Sequence, residues 1–254
     1  MMPSSDGWRF VNNKLFAILL AIAMPLNAGM DFAESDNIVT ITSTNYGTAH
    51  TFTCWINWRD TGDGVVIGRD DSGIFCRYFL YMDTTTMYYG SCSAAVSSNF
   101  VSVTRPTLTS GRFYHIAVVR NGTSVSFYVN GVQQGTTQTL GSNLDLDPIT
   151  TIGNYGGVSN NFPANMQLLE IQIYDYAMTA NQIAGLYGAK SYTSYGTPLN
   201  WWRFDEGESG LTATLSGGIK DRGTASNHGT GGQKVPSIPE SGPTFISNGR
   251  LSYQ

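Results

Sequence analysis

The chain has 254 residues, a formal net charge of −4 and a charged fraction of 13%, about half the roughly 25% usual for globular proteins. With that balance and no Lys/Arg cluster it lacks the basic field that displaces phosphate counterions, which excludes a nucleic-acid interface and an electrostatic membrane-surface patch. The length suits one large β-domain, or a domain plus an extension, and the 29 Gly, 14 Tyr and 12 Phe suit strands joined by tight turns.

In chain order, the first feature is LFAILLAIAMPL (15–26), preceded by Arg9 and Lys14 and followed by Asn27-Ala28-Gly29. This is the layout of a secretory signal peptide, and the run is shorter than the roughly 20 residues that cross a bilayer. Residues 1–28 are therefore expected to be a signal peptide or N-terminal apolar segment. An uncleaved anchor and an ordinary buried segment stay open, because Leu26 fits poorly at the third position before a cut at Ala28.

From Gly29 onward, short alternating segments recur at regular spacing. They are NIVTIT (37–42), TFTCWINW (51–58), GVVIGRD (64–70), the pair 74–82 and 87–96, and FVSVT (100–104). Folding the 74–96 pair about Thr84 sets Phe79 against Tyr89 and Cys76 against Cys92, a geometry that admits a cross-strand disulfide. Cys54 reads as a small buried thiol. In FYHIAVVRNGTSVSFYVNGV (113–132), Asn121-Gly122 and Asn130-Gly131 each predict a two-residue hairpin turn, giving a three-stranded meander. LDPITTIGNYG (146–156) and MQLLEIQIYDY (166–176) follow, and a Thr179-Ala-Asn-Gln182 capping box opens one short helix. Residues 188–200 read as a connector, WWRFDEGESG as an aromatic strand with Gly-rich turns after it, and the tail from Gln233 shows little periodicity. Many short strands at this spacing predict an all-β antiparallel sandwich.

The order GMDFAESDNIVTI, FTCWINW, RFYHIAVVRNGTSVSFYVNGV, ANMQLLEIQIYDYAMTANQIAGLY resembles the laminin-G-like, concanavalin A-like lectin and glucanase superfamily. The resemblance covers residues 29–190 and implies a jelly roll of two stacked antiparallel sheets, with glycan or protein-surface binding in many members and calcium in some. WWRFDEGESG and SNHGTGG resemble the block that usually opens such a unit, yet here they come last. Residues 191–254 are therefore expected to form a connector and an extension that packs back on the sandwich; the start of a second unit and a docking extension for a neighbouring subunit stay open.

Glucanases of this superfamily carry Glu-x-Asp-x-(x)-Glu on one strand face, because retaining hydrolysis needs two carboxylates about 5 Å apart. Here the matching strand reads Glu170-Ile-Gln172-Ile-Tyr174-Asp175, which leaves Glu170 without its acidic partner. No catalytic residue is assigned and no enzyme activity is expected. His115 is expected to pack structurally, His228 to stabilise a turn, and His50 carries no signal. Asp60-Thr-Gly-Asp63-Gly64 lacks the twelfth-position Glu of a calcium loop and reads as a hairpin loop. No cofactor is certain. By resemblance, a calcium ion would be held by Asp31, Asp36 and Glu170.

Sugar binding needs aromatic rings beside amides and carboxylates, most readily on loops. Trp58, Arg59, Asp60, Asn154 and Tyr155 are the ligand-binding candidates. The expected role is a non-catalytic, secreted or surface-displayed binding or adhesion module whose partner is a glycan or another extracellular or surface protein. The alternative is a self-associating structural or decoration protein of a virus particle or surface filament.

Overall fold

The computed structural model describes residues 28–33, 37–59, 62–69, 77–91, 99–143, 149–154, 165–188, 195–206, 218–233 and 244–247. Within these, alternating apolar and polar residues closed by Gly-bearing turns give fifteen strands and one helix. The chain opens with β1 (Ala28–Phe32), β2 (Asn37–Thr44), β3 (Ala49–Trp58), β4 (Gly64–Gly68) and β5 (Arg77–Met82). Then come β6 (Thr86–Ser91), β7 (Phe100–Thr104), β8 (Tyr114–Asn121), β9 (Ser124–Val129) and β10 (Val132–Thr139). The set is completed by β11 (Ile149–Ile152), β12 (Met166–Tyr174), α1 (Ala180–Gly188), β13 (Asn200–Trp202), β14 (Gly229–Gln233) and β15 (Thr244–Ser247).

The strands build two antiparallel sheets. The first runs β10-β9-β8-β3-β12-β1-β15, with β13 also paired to β12; the second runs β14-β2-β11-β4-β5-β6-β7. Their facing sides enclose one core containing Phe52, Cys54, Ile56, Phe79, Met87, Phe127, Leu168, Ile171 and Trp202. α1 covers part of the outer side of the first sheet, packing Ile183 and Leu186 against Ala117, Val119, Tyr128 and Tyr174. β3 is therefore sandwiched on both faces, and every residue from His50 to Trp58 is buried.

Both Asn-Gly turns are present, with different geometry. Asn130 (φ 49°) and Gly131 (φ 77°) both take the left-handed conformation, as a type I′ turn requires. Asn121 instead remains in β8 opposite Ser124. The loop is Gly122-Thr123, with positive φ only at Gly122 (62°), the pattern of a type II′ turn.

After Asn200 the chain contributes strands to both sheets: β13 and β15 to the first, β14 to the second. β14 and β15 are not visible as strands in the sequence. β14, GTGGQ, lies along β2 so closely that a Cβ on Gly229 would sit 2.8 Å from Val39 Cγ1. Gly229, read as a turn residue, instead leaves room for the Val39 and Ile41 side chains of the neighbouring strand. β15 has only four residues, too few for alternation to register.

Candidate functional site

The structure disperses the residues expected to bind a ligand. Trp58 shares its phase along β3 with Phe52, Cys54 and Ile56, so it points into the core and is only 2% exposed. It has no ring face to offer, which corrects the expectation. Arg59 folds over Asp31: Nη1 donates to Asp31 Oδ2 at 3.2 Å, and Nη2 donates to Oδ1. Asn154 is fully buried, and its carbonyl accepts the Thr151 hydroxyl at 3.0 Å. Asp60 and Tyr155 lie outside the described residues, as do Asp36, Cys76 and Cys92.

The two described members of the expected calcium set have protein partners. Asp31 accepts from Arg59 and, at 3.0 Å, from Gln167 Nε2, whose own Oε1 accepts from Asn57 Nδ2 at 3.0 Å. Asn57, Gln167 and Asp31 are register partners on three adjacent strands, so they form one self-satisfied polar row. Glu170 occupies a bulge in β12 with φ 50°. It sits at the gap where β1 ends and β13 begins along the same edge of β12. Its Oε2 accepts Trp201 Nε1 at 2.6 Å and its Oε1 accepts Arg203 Nε at 3.2 Å. Burial pushes this carboxyl above the ordinary range, against the opposing pull of Trp201 and Arg203. Among the described residues no three His, Cys, Asp or Glu side chains gather as a metal site, and the third member of the expected set, Asp36, lies outside them.

The histidines serve packing and turns. His115 tilts against Trp55 and Tyr187 at centroid distances of 5.3 and 6.1 Å. Burial lowers its pKa to about 4. His228 Nδ1 accepts the Asp221 amide at 3.0 Å, holding a turn. His50, silent in the sequence, is fully buried and bridges Gly47 O and Tyr89 Oη, each at 3.1 Å.

Half-exposed aromatic rings do assemble on the outer face of the second sheet. Tyr81 on β5 and Tyr88 on β6 are direct register partners, with ring centroids 5.3 Å apart and planes at 58°. Their neighbours Met82, Met87 and Tyr89 are in the core, so both rings stand on the opposite side. Each hydroxyl is fixed by a carboxylate: Tyr81 donates to Asp63 Oδ2, and Tyr88 donates to Asp83 Oδ2 at 2.9 Å. Asp83 in turn accepts the Thr85 and Thr86 amides at 2.7 Å each, which rigidifies the turn between β5 and β6. Exposed Ser102 is the partner of Tyr88 on the next strand. The result is a pre-formed pair of rings rimmed by carboxylates and hydroxyls, a composition suited to the C–H faces and hydroxyls of a sugar.

A second half-exposed ring, Trp201, lies on the first sheet, but the Arg203 guanidinium stands over it, 5.5 Å from the centroid. It belongs with the Glu170 ion pair, as a clasp for β13. The Tyr81–Tyr88 pair was missed in the sequence because its recognition depends on a register that alternation alone does not fix.

A family model for the concanavalin A-like lectin/glucanases superfamily matches residues 32–184. The chain belongs to this superfamily, a class of antiparallel jelly rolls. The structure is similar to a candidate carbohydrate binding protein from Bacteroides ovatus, at 18% identity and a TM-score of 0.62 over 87% of this chain and 60% of that one. It is also similar to the heptameric SAP-like pentraxin from Limulus polyphemus, at 18% identity and a TM-score of 0.53 over 67% of this chain and 86% of that one. At these identities the likeness is one of fold, and the chain spans 60% of the length of the Bacteroides protein. A comparison with curated proteins finds no match.

Proposed function

We propose that this chain is a non-catalytic carbohydrate-binding module, displayed outside the cell, whose contact face is centred on Tyr81 and Tyr88. The observation that carries the reading is the half-exposed ring pair with both hydroxyls locked by Asp63 and Asp83. Such a face is paid for in advance, because the rings lose little freedom on meeting a ligand. Superfamily membership and the likeness to a candidate carbohydrate binding protein support the ligand class.

Support for a non-catalytic role comes from β12. Glu170 spends both carboxylate oxygens on Trp201 and Arg203, while Gln172 accepts from Thr53 and Tyr174. Both oxygens of Glu170 are thus engaged within the fold and β12 itself carries no second carboxylate, which supports a non-catalytic reading. Display outside the cell is supported by the signal-like run at 15–26.

A glycan array probed with the full chain tests the reading. We expect binding to a subset of glycans, with Tyr81→Ala and Tyr88→Ala each weakening it roughly tenfold, the equivalent of one lost stacking contact of about 1.4 kcal/mol. An array without any binding by folded protein, or binding indifferent to both substitutions, refutes it.

A further inference from the structure

We infer that the ligand of the Tyr81–Tyr88 face is an amino sugar carrying a protonated amine, in preference to a neutral or acidic glycan. This rests on the carbohydrate-binding reading of that face and adds the charge of the ligand. Both side chains that fix the rings are carboxylates, so the rim carries two negative charges over a short span. Among the described residues, Asp63 and Asp83 act on the Tyr81 hydroxyl and Asp83 acts on that of Tyr88. Burial nudges the Asp83 carboxyl up, and hydrogen bonds from Thr85, Tyr88 and Thr86 more than reverse it, so it stays ionised at neutral pH.

The cation from the adjoining strand end is Arg105. It is buried and donates to carbonyls instead, Nε to Asp83 O at 2.8 Å and Nη1 to Pro106 O at 3.2 Å. Its hydrogen bonds are thus committed to the backbone, and its charge offsets part of that of Asp83 without pairing with the carboxylate.

Two ring faces attract a cation through their quadrupoles, and flanking carboxylates add to that attraction. An ammonium on a sugar ring meets both terms at once while its C–H face stacks on tyrosine. A uronate or sialate carboxylate meets like charge. A neutral sugar keeps the stacking and its hydroxyl hydrogen bonds but gains nothing from the charge of the rim.

The test is titration calorimetry of the full chain with a glucosamine oligomer, its N-acetylated counterpart and a galacturonate oligomer. At low salt and about pH 6, where the amine is charged, we expect the glucosamine oligomer to bind about 3- to 10-fold tighter than the N-acetylated one. That margin should shrink at about 0.5 M salt and at about pH 9. Asp63→Asn, at an exposed site, keeps an acceptor for the Tyr81 hydroxyl but removes one of the two rim charges, so it should shrink the margin by weakening the glucosamine oligomer more than the N-acetylated one. Equal or tighter binding of the N-acetylated or galacturonate oligomer, or a margin indifferent to Asp63→Asn, overturns the inference and leaves the carbohydrate reading standing. Failure of all three oligomers to bind folded protein also overturns the inference, while the carbohydrate reading is decided separately by the glycan array.

Discussion

Asp221 offers the sharpest test of how the segment after Asn200 is tied to the sandwich. Its carboxylate is buried, 5% exposed, and accepts four N–H groups. Oδ1 takes the Trp201 amide at 2.7 Å and the Gly223 amide at 2.8 Å; Oδ2 takes Asn200 Nδ2 and the Asn227 amide, each at 2.7 Å. Asp221→Ala strands all four donors. At about 1–3 kcal/mol per buried donor the simple sum is roughly 4–12 kcal/mol, and water entering the vacated space should hold the loss near the lower end, about 4 kcal/mol. For a chain of this size that lowers Tm by roughly 8–16 °C. Asp221→Asn keeps the volume but turns one oxygen into a donor facing two other donors, so about half the loss should remain. Thermal unfolding followed by circular dichroism gives the Tm values. Hydrogen exchange well below the transition should show lost protection at Trp201, Gly223 and Asn227. A drop below about 3 °C in Asp221→Ala, with those amides still protected, refutes the reasoning.

Two further substitutions probe packing and charge. At Gly153 (φ 87°) a Cβ would lie 2.2 Å from Phe32 Cδ1 and Cε1; Gly153→Ala should cost about 3 kcal/mol or more in urea unfolding, with partial rescue by adding Phe32→Leu. Burial, then the charge of Asp205, pushes the Glu206 carboxyl up to about 7. A folded value above the unfolded one gives stability that is complete below about pH 4.3 and is lost as pH rises through about 7. Glu206→Gln should therefore match the natural protein near pH 4 and melt a few degrees higher, about 3 °C, near pH 8. A Tm difference independent of pH would contradict this.

Much of the architecture is legible because it rests on local chemistry. The Asn130-Gly131 turn follows from a requirement that few other residue pairs meet. The capping box is also realised: Gln182 N donates to Thr179 Oγ1 at 3.3 Å, and Thr179 N donates to Gln182 Oε1 at 2.8 Å. Trp58 could have been placed in the core from phase alone, since Cys54, Ile56 and Trp58 alternate without interruption. Preference for an aromatic at a strand end overrode that signal. What stays hidden is whatever depends on a distant partner. β14 is readable only once β2 is beside it, and the conformation of Glu170 answers to where two separate strands meet along β12.

The candidate face is hidden for a subtler reason. Away from the turn, Arg77 faces Ser91 and Tyr78 faces Gly90, the register that folding about Thr84 requires. Carried unbroken to the turn, that register would set Tyr81 against Met87, and the ring pair would not exist. Instead the register shifts between Tyr78 and Tyr81, so that Met82 faces Met87 and Tyr81 faces Tyr88. The shift lets consecutive residues Phe79 and Leu80 both join the core, which strict alternation forbids and a bulge permits. The Phe79-Leu80 pair followed by Tyr81 is thus the trace of the bulge in the sequence. Burying both apolar side chains forces the extra residue, and the extra residue brings the two tyrosines side by side on the solvent face.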